Sequence, residues 1–145
     1  RRNDPYYLEL RGQILMENRR FAEAANSYAR AVNAALNDAL ILGSYGRALL
    51  GQGQNDKALQ ILTKARSRDV GDILVMRDLG VAYAKSGNRG MASLVTAERY
   101  ALQGRMADAG LHAGRASDLL PRGSAGWQRA QDVLSAAKAA QRKRK

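Results

Sequence analysis

An all-α, right-handed solenoid of about eight antiparallel helices is the fold that the sequence predicts, and three observations lead to it. Gly12, Gly46, Gly80 and Gly114 are each 34 residues apart, and Ala24, Ala58 and Ala92 keep the same interval. A period of that length marks a stack of helix pairs, because one pair cannot bury its apolar face alone. The apolar residues, 46% of the chain, are mostly Ala and Leu, and the two prolines, Pro5 and Pro121, lie near opposite ends. Such a composition suits closely packed helices. Glycine in mid-helix costs about 1 kcal/mol against alanine, so four at one interval imply a close-packing role.

The punctuation orders the helices. Asp4 and Pro5 open the first with an N-cap and a proline in the first turn, and Asn18 to Arg20 link it to a second running from about Phe21 to Ala35. Asn37 and Asp38 start the third, which fades at Gly51 to Gly53, and Asn55 or Asp56 caps the fourth. Asp72 caps the fifth, Gly87 and Asn88 break it from the sixth, and Gly104 parts the sixth from the seventh. Leu120 to Gly123 precede an eighth helix capped by Ser124, with Trp127, Ala130, Val133 and Leu134 on one side. That face suits a capping element sealing the open end of a stack. Three pairs are clear and the fourth is degenerate. It keeps Gly114 but loses the large residues, while Gly104, Ala109, Ala113, Ala116 and Pro121 fit a register displaced by half a repeat. Residues 1–141 read as one domain and 142–145 as a basic tail.

Composition excludes several chemistries. Without cysteine there are no disulfides, thiolate metal sites or thiol nucleophiles. With one histidine, His112, no site requiring two imidazoles can form, and no histidine base pairs with a serine nucleophile. His112, between Leu111 and Ala113, reads as structural or exposed. No stretch approaches the roughly 20 apolar residues of a membrane helix, and Arg1 and Arg2 lead almost at once into a helix, as in a mature or excised domain. The formal charge of +11 attracts anionic partners, but four basic groups sit in the run Arg142 to Lys145 and the rest are scattered.

Leu8, Gly12 and Leu15, then Leu42, Tyr45, Gly46 and Leu49, then Met76, Leu79, Gly80 and Tyr83 resemble the first-helix core of the tetratricopeptide (TPR) family. Ala24 with Tyr28 and Ala31, Ala58 with Leu62 and Ala65, and Ala92 with Thr96 resemble its second helices less evenly. The resemblance implies a protein-binding scaffold whose first helices line a ligand groove. Its inward positions are Tyr6, Glu9 and Gln13, then Ser44 and Arg47, then Arg77, Asp78, Val81 and Lys85. The Lys, Asn and Arg set with which some relatives clamp a C-terminal carboxylate is replaced here by Glu9, Gln13, Ser44, Leu74 and Asp78, so a chaperone-tail receptor is disfavoured. Nucleic acid is disfavoured too, because Glu9, Glu17 and Asp78 interrupt the groove and no aromatic repeats along it.

Longer stretches resemble the C-terminal repeat region of bacterial M48-family zinc metalloproteases: residues Asp4 to Leu15, Arg89 to Ala92, Ala97 to Gly104 and Leu120 to Trp127. That resemblance implies a periplasmic module joined to a protease domain, shaping access to its cleft and engaging substrates or outer-membrane assembly proteins. The HExxH zinc site is absent, so the chain is expected to be non-catalytic and to hold no cofactor, with zinc only in the parent's protease domain. A free-standing adaptor and a helical nucleic-acid binder are the competing readings.

Overall fold

The computed structural model describes residues 4–35 and 38–144; Arg1, Arg2, Asn37 and Lys145, which figure in the expectations above, lie outside them. Eight helices and no strand form among the described residues: α1 (Pro5–Glu17), α2 (Phe21–Ala34), α3 (Ala39–Gly51), α4 (Asn55–Arg68), α5 (Ile73–Lys85), α6 (Arg89–Leu102), α7 (Met106–Leu119) and α8 (Ala125–Lys143). Contacts group them into two compact units, Arg1–Asp78 and Leu79–Lys145, with the division falling inside α5.

Local chemistry sets the helix starts. The Asp4 carboxylate accepts from the Tyr6 N–H, Asp38 from those of Leu40 and Ile41, Asp72 from Val75, Asn88 from Met91, and the Ser124 hydroxyl from Trp127. Each satisfies a backbone donor that the first helical turn leaves without a partner. Asp38→Ala should therefore cost about 1 kcal/mol, read as a lowered midpoint in urea titration followed by circular dichroism. One start departs from expectation: α4 is preceded by Gln54, with no side-chain cap, and Asn55 is already its first helical residue. At the other end of the chain, Arg142 and Lys143 form the last turn of α8 rather than a tail.

Four turns share one closure. Backbone N–H groups of Arg20, Gln54, Asn88 and Arg105 donate to the carbonyls of Leu15, Leu49, Tyr83 and Tyr100, each five residues earlier. The residue before each donor is left-handed: Arg19 at φ 58°, Gly53 at 83°, Gly87 at 80° and Gly104 at 77°. This is the Schellman arrangement, in which glycine escapes the Cβ clash of the left-handed region. The first three turns are 34 residues apart. The fourth follows Gly87 by only half that interval. The links after α2, α4 and α7 are of another kind, leaving the helix through the extended or near-extended residues Ala35, Asp69 and Leu120.

The register therefore shifts by half a repeat in the second unit, the alternative that Gly104, Ala109 and Ala113 suggest. Residues five and twelve positions beyond the left-handed residue are Ala24 and Ala31, then Ala58 and Ala65, then Ala109 and Ala116, and all six are buried. By that pattern α7 is a second helix of a pair, and α6, already packed after α5, serves as its first. The glycine contacts agree. A Cβ on Gly12 would lie 2.6 Å from the Tyr28 ring, and one on Gly46 would lie 2.5 Å from Leu62. On Gly80 it would meet Thr96 at an ordinary 3.5 Å, and on Gly114 it would meet nothing within 4 Å. The close-packing role expected for four glycines thus holds for two. Gly114 sits in a helix of the other type, and its interval from Gly80 carries no contact. The corresponding small residue of the shifted pair is Ala97, clustered with Ala109, Ala113 and Val133.

The first unit buries Leu8, Leu42, Tyr45, Leu49, Leu62 and Met76, and the second buries Leu79, Leu94 and Val95. Polar ties also cross helices within each unit. The fully buried Ser27 hydroxyl donates to the Leu8 carbonyl at 2.7 Å, and Arg129 forms a forked pair with Glu98. His112 packs its ring against Tyr100, 5.3 Å between centroids; burial, and then the neighbouring Arg115 charge, lowers its pKa from the usual histidine value.

Candidate functional site: a cleft between the first and third helices

On α1, the 100° step per residue places Met16, Glu9 and Gln13 in one sector, flanking the stripe that buries Leu15, Leu8 and Gly12. Gln13, Met16 and Glu17 come to face Ser44 and Arg47 of α3 across a cleft of about 310 Å³, whose floor is Tyr28 of α2. Tyr28 reaches it because Gly12 has no side chain. The ring lies where a Cβ would be, only 2% of the residue is exposed, and the hydroxyl is hydrogen-bonded to Ser44. Burial raises the phenol's pKa above its ordinary value, with the Ser44 bond a smaller opposing effect, so the hydroxyl stays protonated.

Arg47 is fixed from the side. Its Nε donates to Asp78 Oδ2 at 3.0 Å, a pair in which the aspartate side chain is 9% exposed and the arginine 41%. The α5 carboxylate is thereby neutralised, while the terminal guanidinium nitrogens make no bond to a described residue. Gln13 donates to Glu9 across one turn of α1 at 3.4 Å.

The structure thus brings Gln13, Ser44, Arg47 and Asp78 together, with Glu9 alongside. Tyr6 is 78% exposed and does not line the cleft. Arg77 is exposed and turned a helical step away from Asp78, and Val81 and Lys85 belong to the second unit, where both are exposed. Met16 and Tyr28 join the cleft without having been singled out for it. Tyr28 carried the only available signal, a polar-tipped ring sixteen residues after a packing glycine.

The cleft offers donors at Arg47, Gln13 and Tyr28, acceptors at Glu17 and Gln13, and an apolar edge at Met16. Its one serine is engaged by Tyr28, and no imidazole is among the residues that line it. Such groups hold a chain; they do not activate a nucleophile. Among the described residues no group of three His, Asp or Glu could ligate a metal ion, and no helix is long and apolar enough to cross a membrane.

The helix pairs and the cleft their first helices form define a helical-repeat scaffold, a non-catalytic class of fold. Residues 15–79 match the family model described as tetratricopeptide repeat, a stretch that covers most of the first unit. The Sgt2 TPR domain from Aspergillus fumigatus has the same fold, with a TM-score of 0.60 at 18% identity over 94% of this chain and 78% of that one. The Yersinia enterocolitica type III secretion chaperone SycD, solved in complex with a peptide of the translocator YopD, gives 0.54 at 13% identity over 94% and 93%. At these identities the likeness is one of fold. No protein of curated function matches the chain in sequence.

Proposed function

We propose that the chain is a protein-interaction scaffold whose first unit grips an extended segment of a partner in the cleft between α1 and α3. The observation that carries this reading is the Arg47 guanidinium, held by Asp78 with its terminal nitrogens bonded to no described residue, above a floor where Tyr28 and Ser44 present a bonded hydroxyl pair. A backbone carbonyl, amide or carboxylate of a bound segment meets donors there, and an apolar side chain meets Met16. That a solved structure of the same fold holds a peptide is consistent with this use of it.

The finer reading follows the metalloprotease resemblance: the chain is the non-catalytic module of a periplasmic M48-family enzyme, recruiting substrates or outer-membrane assembly proteins to a zinc protease domain in the same polypeptide. A second face of α1 supports it over a free-standing adaptor. Tyr6, Leu10, Ile14 and Tyr7 fall within one 100° sector, each between 51% and 78% exposed. An exposed apolar face of this kind, with Glu17 at its end, is a surface a neighbouring domain would cover.

Crosslinking capture from a periplasmic extract tests both levels. Gln13 is exposed and lines the cleft, so Gln13→Trp should fill the cleft without touching the core and reduce capture of the recruited protein by about tenfold or more. Leu10→Glu should leave that capture intact and abolish binding of a separately added protease domain. Equal capture by the Gln13→Trp chain would rule out the cleft. Recovery of only nucleic acid or unrelated soluble proteins would rule out the protease assignment.

A further inference from the structure

The second unit carries a cleft of its own, lined by none of the residues that line the first cleft. α8 is five residues longer than its neighbour α7, 19 against 14. The two helices approach closely where Gly110 faces Ala137: a Cβ on the glycine would lie 3.0 Å from the alanine methyl. Around that contact opens a space of about 430 Å³, floored by Met106, Gly110, Leu134, Ala137 and Ala140. Its rim is basic, with Lys138 and Arg144 lining the same space.

Charge identifies the occupant. The second unit, Leu79–Lys145, has 12 Lys and Arg against 4 Asp and Glu, whereas Arg1–Asp78 has 12 against 9, so most of the chain's positive excess belongs to the unit bearing this cleft. Two of the four acids are already spent, Glu98 on Arg129 and Asp108 on Arg105. Neither Lys138 nor Arg144 is bonded to a carboxylate among the described residues. A second copy of the chain would bring the same positive excess and is repelled. A nucleic acid would match the rim but not the floor, since no aromatic residue lines the cleft for a base to stack on.

We propose that this cleft is a second docking site, taking an acidic segment of a partner protein that seats one or two aliphatic side chains on the Gly110 and Ala137 floor while its carboxylates meet Lys138 and Arg144. Burial of the aliphatic groups supplies affinity, and the charges supply selection and rate.

The test uses the 145-residue chain and a fluorescent glutamate-rich helical peptide carrying two leucines one turn apart, with binding read by anisotropy. The peptide should bind, and replacing both leucines by serine should weaken it about tenfold or more. Lys138→Glu with Arg144→Glu, both at exposed positions, should weaken it as much while leaving the circular dichroism melt unchanged. Gln13→Trp should have no effect, which separates this site from the cleft of the first unit. Equal binding of the serine peptide would reduce the interaction to unspecific charge and overturn the proposal. Undiminished binding to the charge-reversed chain, or a single-stranded oligonucleotide displacing the peptide at equal concentration, would overturn it as well.

Discussion

Gly12→Ala and Gly46→Ala are each expected to destabilise the chain by about 1–3 kcal/mol, whereas Gly114→Ala, at the same sequence interval, is expected to be neutral or to stabilise by up to about 1 kcal/mol. The signs differ because two effects compete. Alanine is the better helix former at every one of these positions. At Gly12 and Gly46, however, the added methyl would overlap the Tyr28 ring and the fully buried Leu62, which have packed neighbours behind them. At Gly114 the space is open, and only the helix-forming gain remains. Thermal unfolding followed by circular dichroism reads the difference, at about 2–4 °C per kcal/mol in a chain near this size. A destabilising Gly114→Ala would contradict the half-repeat shift. Gly12→Ala should also open the Tyr28 to Ser44 bond and weaken binding in the first cleft, which Gly46→Ala should not.

Arg47→Leu should cost about 2 kcal/mol, and Asp78→Leu added to it should return most of that loss. Removing the arginine leaves a carboxylate, 7% of whose residue is exposed, without its cation. Breaking a buried pair costs about 3–5 kcal/mol, and the figure is smaller here because the arginine side chain is 41% exposed. Replacing both members with apolar groups removes the desolvated charge itself, which is often neutral. The measurement is a double-mutant cycle by urea unfolding, with partner capture assayed in parallel. Stability should recover in the double variant while binding stays lost, because the guanidinium is what the cleft presents. Recovery of both would mean that Arg47 holds α5 and nothing else.

Much of the fold was legible from spacing. Caps at Asp4, Asp38, Asp72, Asn88 and Ser124 are local, settled within three residues of sequence, and the left-handed turns at Gly53, Gly87 and Gly104 follow from glycine alone. Arg19 shows the limit of that signal, since it takes the same conformation with a side chain. Asn55 could not be told from a cap because the neighbouring Gln54, which caps with its backbone only, leaves no side-chain mark. Gly114 misled for a deeper reason. Period counts positions along the chain, but a packing role depends on which neighbour the helix faces, and the turn at Gly104 had already exchanged it. In the first cleft, Ser44, Arg47 and Gln13 were accessible through the repeat's inward positions. Met16 was not, because it comes to share the cleft with Arg47, 31 positions away in the chain, only through the packing of α1 beside α3.

The tight turn at Gly104 changes what the array can grow by. A stack built only of pairs lengthens two helices at a time and always finishes with the same type of helix. Because α6 serves in two pairs, one after α5 and one before α7, this sequence has added a single helix instead. The next helix, α8, packs on both α7 and α6 and so takes the place of a first helix rather than a second. A spacing of 17 residues between left-handed turns, Gly87 to Gly104, where the earlier ones are 34 apart, is the mark this exchange leaves in the chain.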